Sequence, residues 1–438
     1  MDTTQHSTRG GALVGYRIID LTQMLAGPIC GMRLGDLGAD VVKVEPPASG
    51  EFNRTHSLAG AYVNGEATTF LALNRNKRSV AIDLKHPSGV AAFKDLVRSA
   101  DALVQNFRAG VTDRLGIGYE HLREVNPRLV YCSISGYGPT GPYRDRPGQD
   151  LVVQGYSGSM WSVGKDGDPP VPGALWAADV MSGYQAAIGI LAALLARGTT
   201  DEGQHVEVDM LSVVMDAQAQ ELVTYLNAGI LPTRGAEASA HAAIPAPYGV
   251  YETADGWITL AMCPLPALGK AIGVPRLEAL TDYDDGVRFR DEVYRLVRPA
   301  MKARTTSEWT AILDAHNVWC GPVYTFADLE RDPHVVATGA IATVDHPVAG
   351  AVRMPAPPLR LSGTPAAIRR PAPLLGEHSA EVLGTLPGYD EERIAALVAA
   401  GAVGARPATA ERGGHNERHR NGSGSGGQRA GAAGDRAG

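Results

Sequence analysis

The sequence predicts an α/β fold with a largely parallel sheet, followed by a smaller α+β unit. Strand-like and helix-like segments alternate over the first 200 residues, the pattern that feeds parallel strands through helical crossovers. The passages between them are short, as compact doubly wound domains require. A chain of 438 residues also exceeds one ordinary core, so a second domain is expected.

GYRIIDLT reads as the first strand. GPICGMRLGDLG follows as a helix, opened by Gly27 and Pro28, where a missing N–H costs nothing, and closed by Gly38. ADVVKVE and SVAIDL are the next strands; a helix at 87–99, the strand ALVQNF, a short helix at 119–125 and the strand RLVYCSIS complete the series. The most apolar run, 186–196, is shorter than the roughly 20 residues of a membrane span and reads as a buried helix. QHVEVD is a further strand, and apolar residues at helical spacing predict one helix from Met210 to about Leu226. Gly, Pro and Ala then break the regularity in NAGILPTRGAEASAHAAIPAP, a candidate linker or mobile loop. YGVYETADGWITLAM predicts a hairpin around Ala254, Asp255 and Gly256 and opens the smaller unit, which runs to about Leu329. Beyond Pro333 the chain is Pro-interrupted and extended until a helix near 390–400. From 405 to 438 aromatic and β-branched residues nearly vanish, so a disordered tail is expected there.

Composition narrows the function. Hydrophobic residues at 44% and charged residues at 20% exclude disorder of the whole chain. A net charge of −7 without a basic stripe argues against nucleic acid as the main partner. Cys30, Cys132, Cys263 and Cys320 lie far apart and include no close metal-ligand pair, so reduced thiols and no metal are expected. The polar start MDTTQHSTRGG lacks the apolar core of a signal peptide, which makes a cytoplasmic location without a membrane partner the expectation.

No G-x-G-x-x-G follows a strand, and no phosphate-loop, H-E-x-x-H or EF-hand pattern occurs, so NAD, ATP, zinc and calcium readings lack support. GYSGS at 155–159 has the wrong order for a nucleophile elbow. LNRNKRSVAIDLK at 73–85 is the densest basic segment, with Arg75, Lys77, Arg78 and Lys85. It reads either as a solvated loop before a strand or as a phosphate site, to which Arg108 and Arg114 of QNFRAGVTDRLG would add. GALWAADVMSG sets Asp179 among small and apolar residues at the mouth of an apolar helix. Its carboxylate reads as the N-cap of a helix starting near Val180, or as a reacting group, since helix donors favour the ionised form that a nucleophile needs.

Seven segments decide between these readings: DLTQMLAGPICGMRLGDLGADVVKVEPP, LNRNKRSVAIDLKHPSG, NFRAGVTDRLGIGY, NPRLVYCSISGYGPTGPY, ADVMSGYQAAIGILAALLAR, APYGVYETADGWI and PAPLLGEHSAEVL. In this order they resemble the class III CoA-transferases, the family of formyl-CoA:oxalate and carnitine CoA-transferases and the related α-methylacyl-CoA racemases. The resemblance implies a Rossmann-like large domain built from 10–225 and 331–404, a small domain at 226–330, and an interlocked homodimer. It implies coenzyme A, brought as an acyl-CoA donor, with a carboxylic acid as acceptor. By position, Met24, Leu25 and Ala26 would line the CoA site, Ile82, Leu84 and Lys85 would lie near the adenosine, and Asn106, Phe107 and Arg114 near the nucleotide and phosphates.

The family's nucleophilic aspartate falls on Asp179, whose carboxylate would form an acyl anhydride and then an aspartyl-CoA thioester; backbone N–H groups near Val180 would stabilise the oxyanions. Gln149 and Asp150 would support the active site. The alternative within the family is racemisation of an acyl-CoA, but racemases carry G-H-D where this chain has Gly148, Gln149 and Asp150, and Gln149 has no titratable proton. His121, on an expected surface helix, reads as a solvated residue. A CoA-binding protein without turnover is the remaining alternative. Two departures stand out: Pro46 replaces an arginine of a family member, and GAEASAHAAIPAPYG replaces a glycine-rich flap.

Overall fold

The computed structural model describes residues 10–282 and 284–405. The expected tail, apart from Ala405, lies outside the described residues. Seven strands form the main sheet: β1 (Arg17–Asp20), β2 (Asp40–Glu45), β3 (Lys77–Ile82), β4 (Ala102–Gln105), β5 (Val130–Ser135), β6 (His205–Asp209) and β7 (Val403–Gly404). Their order is β7-β3-β2-β1-β4-β5-β6, parallel throughout except that β7 runs antiparallel to β3. The order 3-2-1-4-5-6 is that of a doubly wound sheet, and the winding reverses between β1 and β4. A crevice therefore opens at the carboxyl ends of these two strands.

Seven helices matter for the site: α1 (Ala26–Asp36), α2 (Pro87–Val97), α3 (Tyr119–Val125), α4 (Asp150–Ser157), α5 (Ala177–Thr200), α6 (Met210–Ala217) and α7 (Ala219–Ala228). On one face of the sheet, Phe93 and Leu96 of α2 and Leu122 of α3 close a core with Ile19, Val42, Val80 and Leu103. On the other, Cys30 and Leu34 of α1 and Ala186, Ile190 and Ala193 of α5 pack on Ile18, Val104 and Cys132. Coverage on both faces is why the central strands read as nearly unbroken apolar runs.

Three expectations about elements are corrected. The apolar run 186–196 belongs to a helix of 24 residues, long and apolar enough to cross a membrane by length and composition. Its buried stripe packs in the second core, which accounts for the apolarity. The single helix expected from Met210 breaks at Gln218, where φ −105° and ψ 27° leave the helical region and the side chain donates to the Ser157 and Val214 carbonyls. The expected linker or mobile loop at 227–247 is still helical at Asn227 and Ala228 and from there irregular but tethered. Arg290 donates to the Ala242 and Thr233 carbonyls, Asp291 accepts from the Ala236 and Glu237 N–H groups, and the Ala242 N–H reaches the Ser162 carbonyl at 2.6 Å. Charged side chains here satisfy backbone groups that no regular element pairs.

The smaller unit holds an antiparallel sheet in the order Cys320–Pro322, Trp257–Leu260, Gly249–Glu252. Its hairpin turns at Ala254–Gly256 as expected, closed by the Thr253 N–H to the Gly256 carbonyl at 2.9 Å. Helices Leu265–Ile272, Arg290–Met301 and Thr306–Ala315 cover a third core around Tyr251, Ile258, Val297 and Leu313. The chain then forms a hairpin from Ile341–His346 and Gly350–Pro355 and returns to the main sheet. There the His378 N–H bonds to the Ser79 carbonyl, and β7 pairs with β3 at Val403 and Ile82.

Candidate active site

The crevice is built from the loops that leave β1 and β4. The Gln23 N–H donates to Asn106 Oδ1 at 3.0 Å, and Asn106 Nδ2 returns a bond to the Gln23 carbonyl at 2.8 Å. This reciprocal pair clasps the two loops across the point where the winding reverses. Met24 follows with φ +67°, a left-handed conformation that costs a side-chain-bearing residue energy unless its surroundings fix it. Here they do: its N–H donates to Glu51 Oε2 and its carbonyl accepts from Asn53 Nδ2. The Met24 side chain is exposed at the crevice, Leu25 caps α1, and Ala26 is buried beneath α5.

Phe107 is half-buried, its N–H held by Gln105 Oε1 at 2.7 Å. Lys85 follows β3, and Arg108 and Arg114 follow β4, so the topology sets all three cations, each exposed, at the carboxyl edge of the sheet. Leu84 packs partly on the first core, and Ile82 is 1% exposed within it, so its side chain points into the protein.

Three of the four cations of the basic segment form neither a solvated loop nor a phosphate site. Arg75 makes two bonds to Asp36, at 2.9 and 2.7 Å, and Arg78 pairs with Asp40 and Glu381. Lys77, fully buried, donates to Asp20 Oδ2 at 2.7 Å, Asn74 Oδ1 at 2.9 Å and the Pro28 carbonyl at 3.0 Å. These cations are spent inside the fold; of the four, only Lys85 faces solvent.

Lys43 joins the same buried cluster, donating to the Thr22 carbonyl at 2.7 Å with Asp20 Oδ1 3.9 Å away. Burial opposes the charge on Asp20, but Lys43 and Lys77 outweigh it and hold the carboxyl below its usual range. Burial pushes the Lys77 ammonium below its usual range against the attraction of Asp20, because two ammonium groups share one carboxylate. The cluster fixes the backbone of 20–28 from below. Its signal was visible as Asp20, Lys43 and Lys77 standing inside otherwise apolar strands.

Asp179 sits at the third position of α5, whose N-cap is Trp176, not at the cap of a helix starting near Val180. The capping acceptor comes from elsewhere. Asp150, the first residue of α4 and 3% exposed, takes the Asp179 N–H on Oδ1 at 3.2 Å. With the local donor spent on Asp150, helix donors do not hold the Asp179 carboxyl low, contrary to expectation. Burial, and after it the charge of Asp150, raise its pKa from 3.8 to about 6. The Val180 N–H is also engaged, bonded to the Trp176 carbonyl at 2.9 Å, so it is not a free oxyanion donor.

Gln149 is the exposed N-cap of α4, and its side chain makes no capping bond. Gln154, which the sequence reading passed over, donates to Asp150 Oδ2 at 2.6 Å. One turn after Asp179, a Cβ on Gly183 would lie 2.5 Å from the Ala26 carbonyl, so α5 rests directly on the start of α1. Asp179 lies one turn, about 6 Å along the helix axis, before this contact. Among the described residues, no group of three or more His, Cys, Asp or Glu is disposed to hold a metal ion.

A doubly wound sheet with a clasped crevice at its switch point and an acidic pair at the adjoining helix entry defines an α/β protein of the class whose ligand sites open at the carboxyl ends of the strands. The chain belongs to CoA-transferase family III, whose family model matches residues 13–379, and it is an enzyme of the CoA-transferase class. It is 34% identical over 398 residues to a succinyl-CoA:glutarate CoA-transferase of Mus musculus, covering 89% of this chain and 90% of the relative. A succinate–glutarate CoA-transferase of Agrobacterium fabrum (strain C58) is 35% identical over 398 residues, covering 87% of this chain and 98% of the relative. The crystal structure of a CAIB/BAIF family protein from Brucella suis superposes with a TM-score of 0.76 at 32% identity, covering 86% of this chain and all of that one.

Proposed function

We propose that the protein moves coenzyme A from an acyl-CoA to a free carboxylic acid through covalent attachment to Asp179. The carboxylate pair at the entry of α5, next to the crevice at the ends of β1 and β4, is the observation that carries this reading. A pKa of about 6 leaves Asp179 ionised at neutral pH, yet raised by burial and so poorly solvated, which suits a carboxylate nucleophile.

In the proposed sequence an Asp179 oxygen attacks the thioester carbonyl, the C–S bond breaks, and CoA thiolate leaves an acyl-aspartyl anhydride. The thiolate attacks the aspartyl carbonyl, releasing the donor acid and forming the aspartyl-CoA thioester. The acceptor carboxylate attacks that thioester and expels the thiolate. Attack of the thiolate on the acceptor's acyl carbon then frees Asp179 and yields the new CoA ester.

Met24, Leu25, Asn106 and Phe107 would line the CoA-binding crevice, with buried Ala26 seating α5 beside it and Lys85 and Arg114 offering charge to its phosphates. Succinyl-CoA with glutarate is the first substrate pair to try, because relatives carry those names. Gln149 supports transfer over racemisation, since it can neither give nor take an α-proton. The same proposal divides the chain into a large domain (10–225 and 331–404) and a small one (226–330), a division supported by their separate cores. It also includes a homodimer, supported by the exposure of Leu175, Trp176, Ile188, Leu195, Leu226 and Ile230 on and beside α5 and α7. Light scattering that returns a monomer would remove that part.

The deciding experiment incubates the protein with succinyl-CoA, quenches with hydroxylamine and maps the modified peptide. Asp179 should carry the hydroxamate; full transfer activity in Asp179→Ala would sink the reading.

A further inference from the structure

We propose that Gln154 is a positioning residue of this site: it ties the chain entering α5 to Asp150 and so sets how the two carboxylates face each other. The inference rests on the reading of Asp179 as nucleophile.

Both ends of the Gln154 amide are used, and the residue is 3% exposed. Oε1 accepts the Gly173 N–H at 2.9 Å, while Nε2 donates to Asp150 Oδ2 at 2.6 Å and, more weakly, to the Leu175 carbonyl at 3.4 Å. The other oxygen of Asp150 takes the Asp179 N–H. A continuous path of hydrogen bonds thus runs from Gly173 through Gln154 and Asp150 to the backbone of Asp179. Little else holds the entering segment: residues 171–176 are exposed and lack regular structure. Without the amide, the approach to α5 would be anchored only by the Val171 N–H on the Met160 carbonyl, at 3.1 Å, and by the helix itself.

The chemistry demands an amide here. Asp150 needs a donor and the Gly173 N–H needs an acceptor, and only a group carrying both can serve them from one buried position. An ionised glutamate keeps the acceptor but turns a carboxylate toward Asp150; a methionine fills the space and supplies neither bond.

The test measures the single-turnover rate at which the full-length protein forms hydroxylamine-trappable Asp179 from succinyl-CoA or acetyl-CoA. Gln154→Glu and Gln154→Met should each slow labelling on the order of 100-fold, the scale of an ångström-sized misplacement, with the apparent Kd for the CoA ester within about twofold of wild type. The double variant Asp150→Asn, Gln154→Glu restores the bonds to the Gly173 N–H and to residue 150 with donor and acceptor exchanged, leaving only the weak bond to the Leu175 carbonyl unmade, and should recover at least about tenfold of the loss.

Undiminished labelling in either folded single variant would overturn the positioning role. So would a loss that the double variant leaves unrepaired although its thermal unfolding matches wild type. Failure of the nucleophile reading looks different: wild-type protein then yields no labelled Asp179 at all, and the positioning role falls with it.

Discussion

Replacing Asp179 by asparagine should stabilise the protein at neutral pH and barely affect it in acid. Burial and the nearby charge of Asp150 raise the Asp179 pKa from 3.8 to about 6. An unfolded chain gives up this proton near 3.8, so between that pH and 6 the folded state retains a proton that the unfolded state has lost. The stability so contributed is complete below the unfolded value and is lost as the pH rises through about 6, above which the folded protein carries the full cost of the charge. A displacement of that size corresponds to about 3 kcal/mol as an upper bound. Asp179 is only half-buried, and solvent screening brings the expected figure to about 1–2 kcal/mol. Asparagine keeps the shape without the charge. Urea unfolding at a series of pH values from about 4.5 to about 8 should show the variant's advantage growing to about pH 7 and then levelling off. An advantage constant across the range, or a variant less stable than wild type at about pH 8, would refute the electrostatic account.

Two further predictions follow from close packing and buried charge. Gly183→Ala puts a methyl group 2.5 Å from the Ala26 carbonyl and 3.0 Å from Ile29, so α5 must lift from α1. The cost should be about 1–3 kcal/mol, with a raised KM for the CoA ester in steady-state kinetics; wild-type values for both would contradict the contact. Lys77→Met leaves Asp20 facing Lys43 alone at 3.9 Å and removes the bond to the Pro28 carbonyl. A loss of about 3–5 kcal/mol is expected in chemical denaturation, and a loss below about 1 kcal/mol would mean that the cluster adds little.

The sheet was legible because both its faces are covered: apolar runs such as RIID and ALVQ mark strands buried on two sides, and Gly and Pro punctuate the crossovers. The position of Asp179 in the helix was not. Sequence rules look for a cap among a helix's own neighbours, and Trp176 supplies no side-chain acceptor. The acceptor is Asp150, on a different helix. The fate of Arg75, Lys77 and Arg78 was hidden for the same reason, since Asp36, Asp20 and Asp40 meet them only through neighbouring strands and helices. The tether on the loop at 227–247 depends on Arg290 and Asp291, which follow it by dozens of residues. Local pattern reports periodicity and punctuation; it does not report which distant charge will arrive to neutralise a group.

The return of the chain to β3 sets a timetable for assembly. The register that joins Val403 to Ile82 cannot form until almost all of the described chain has left the ribosome. Until then the outer edge of β3 presents unpaired N–H and C=O groups while the rest of the sheet is already able to close. Synthesis therefore includes an interval in which the β3 edge of one nascent chain is open to the late segment of another, and the concentration of partly made chains, as well as their sequence, decides which strand arrives first.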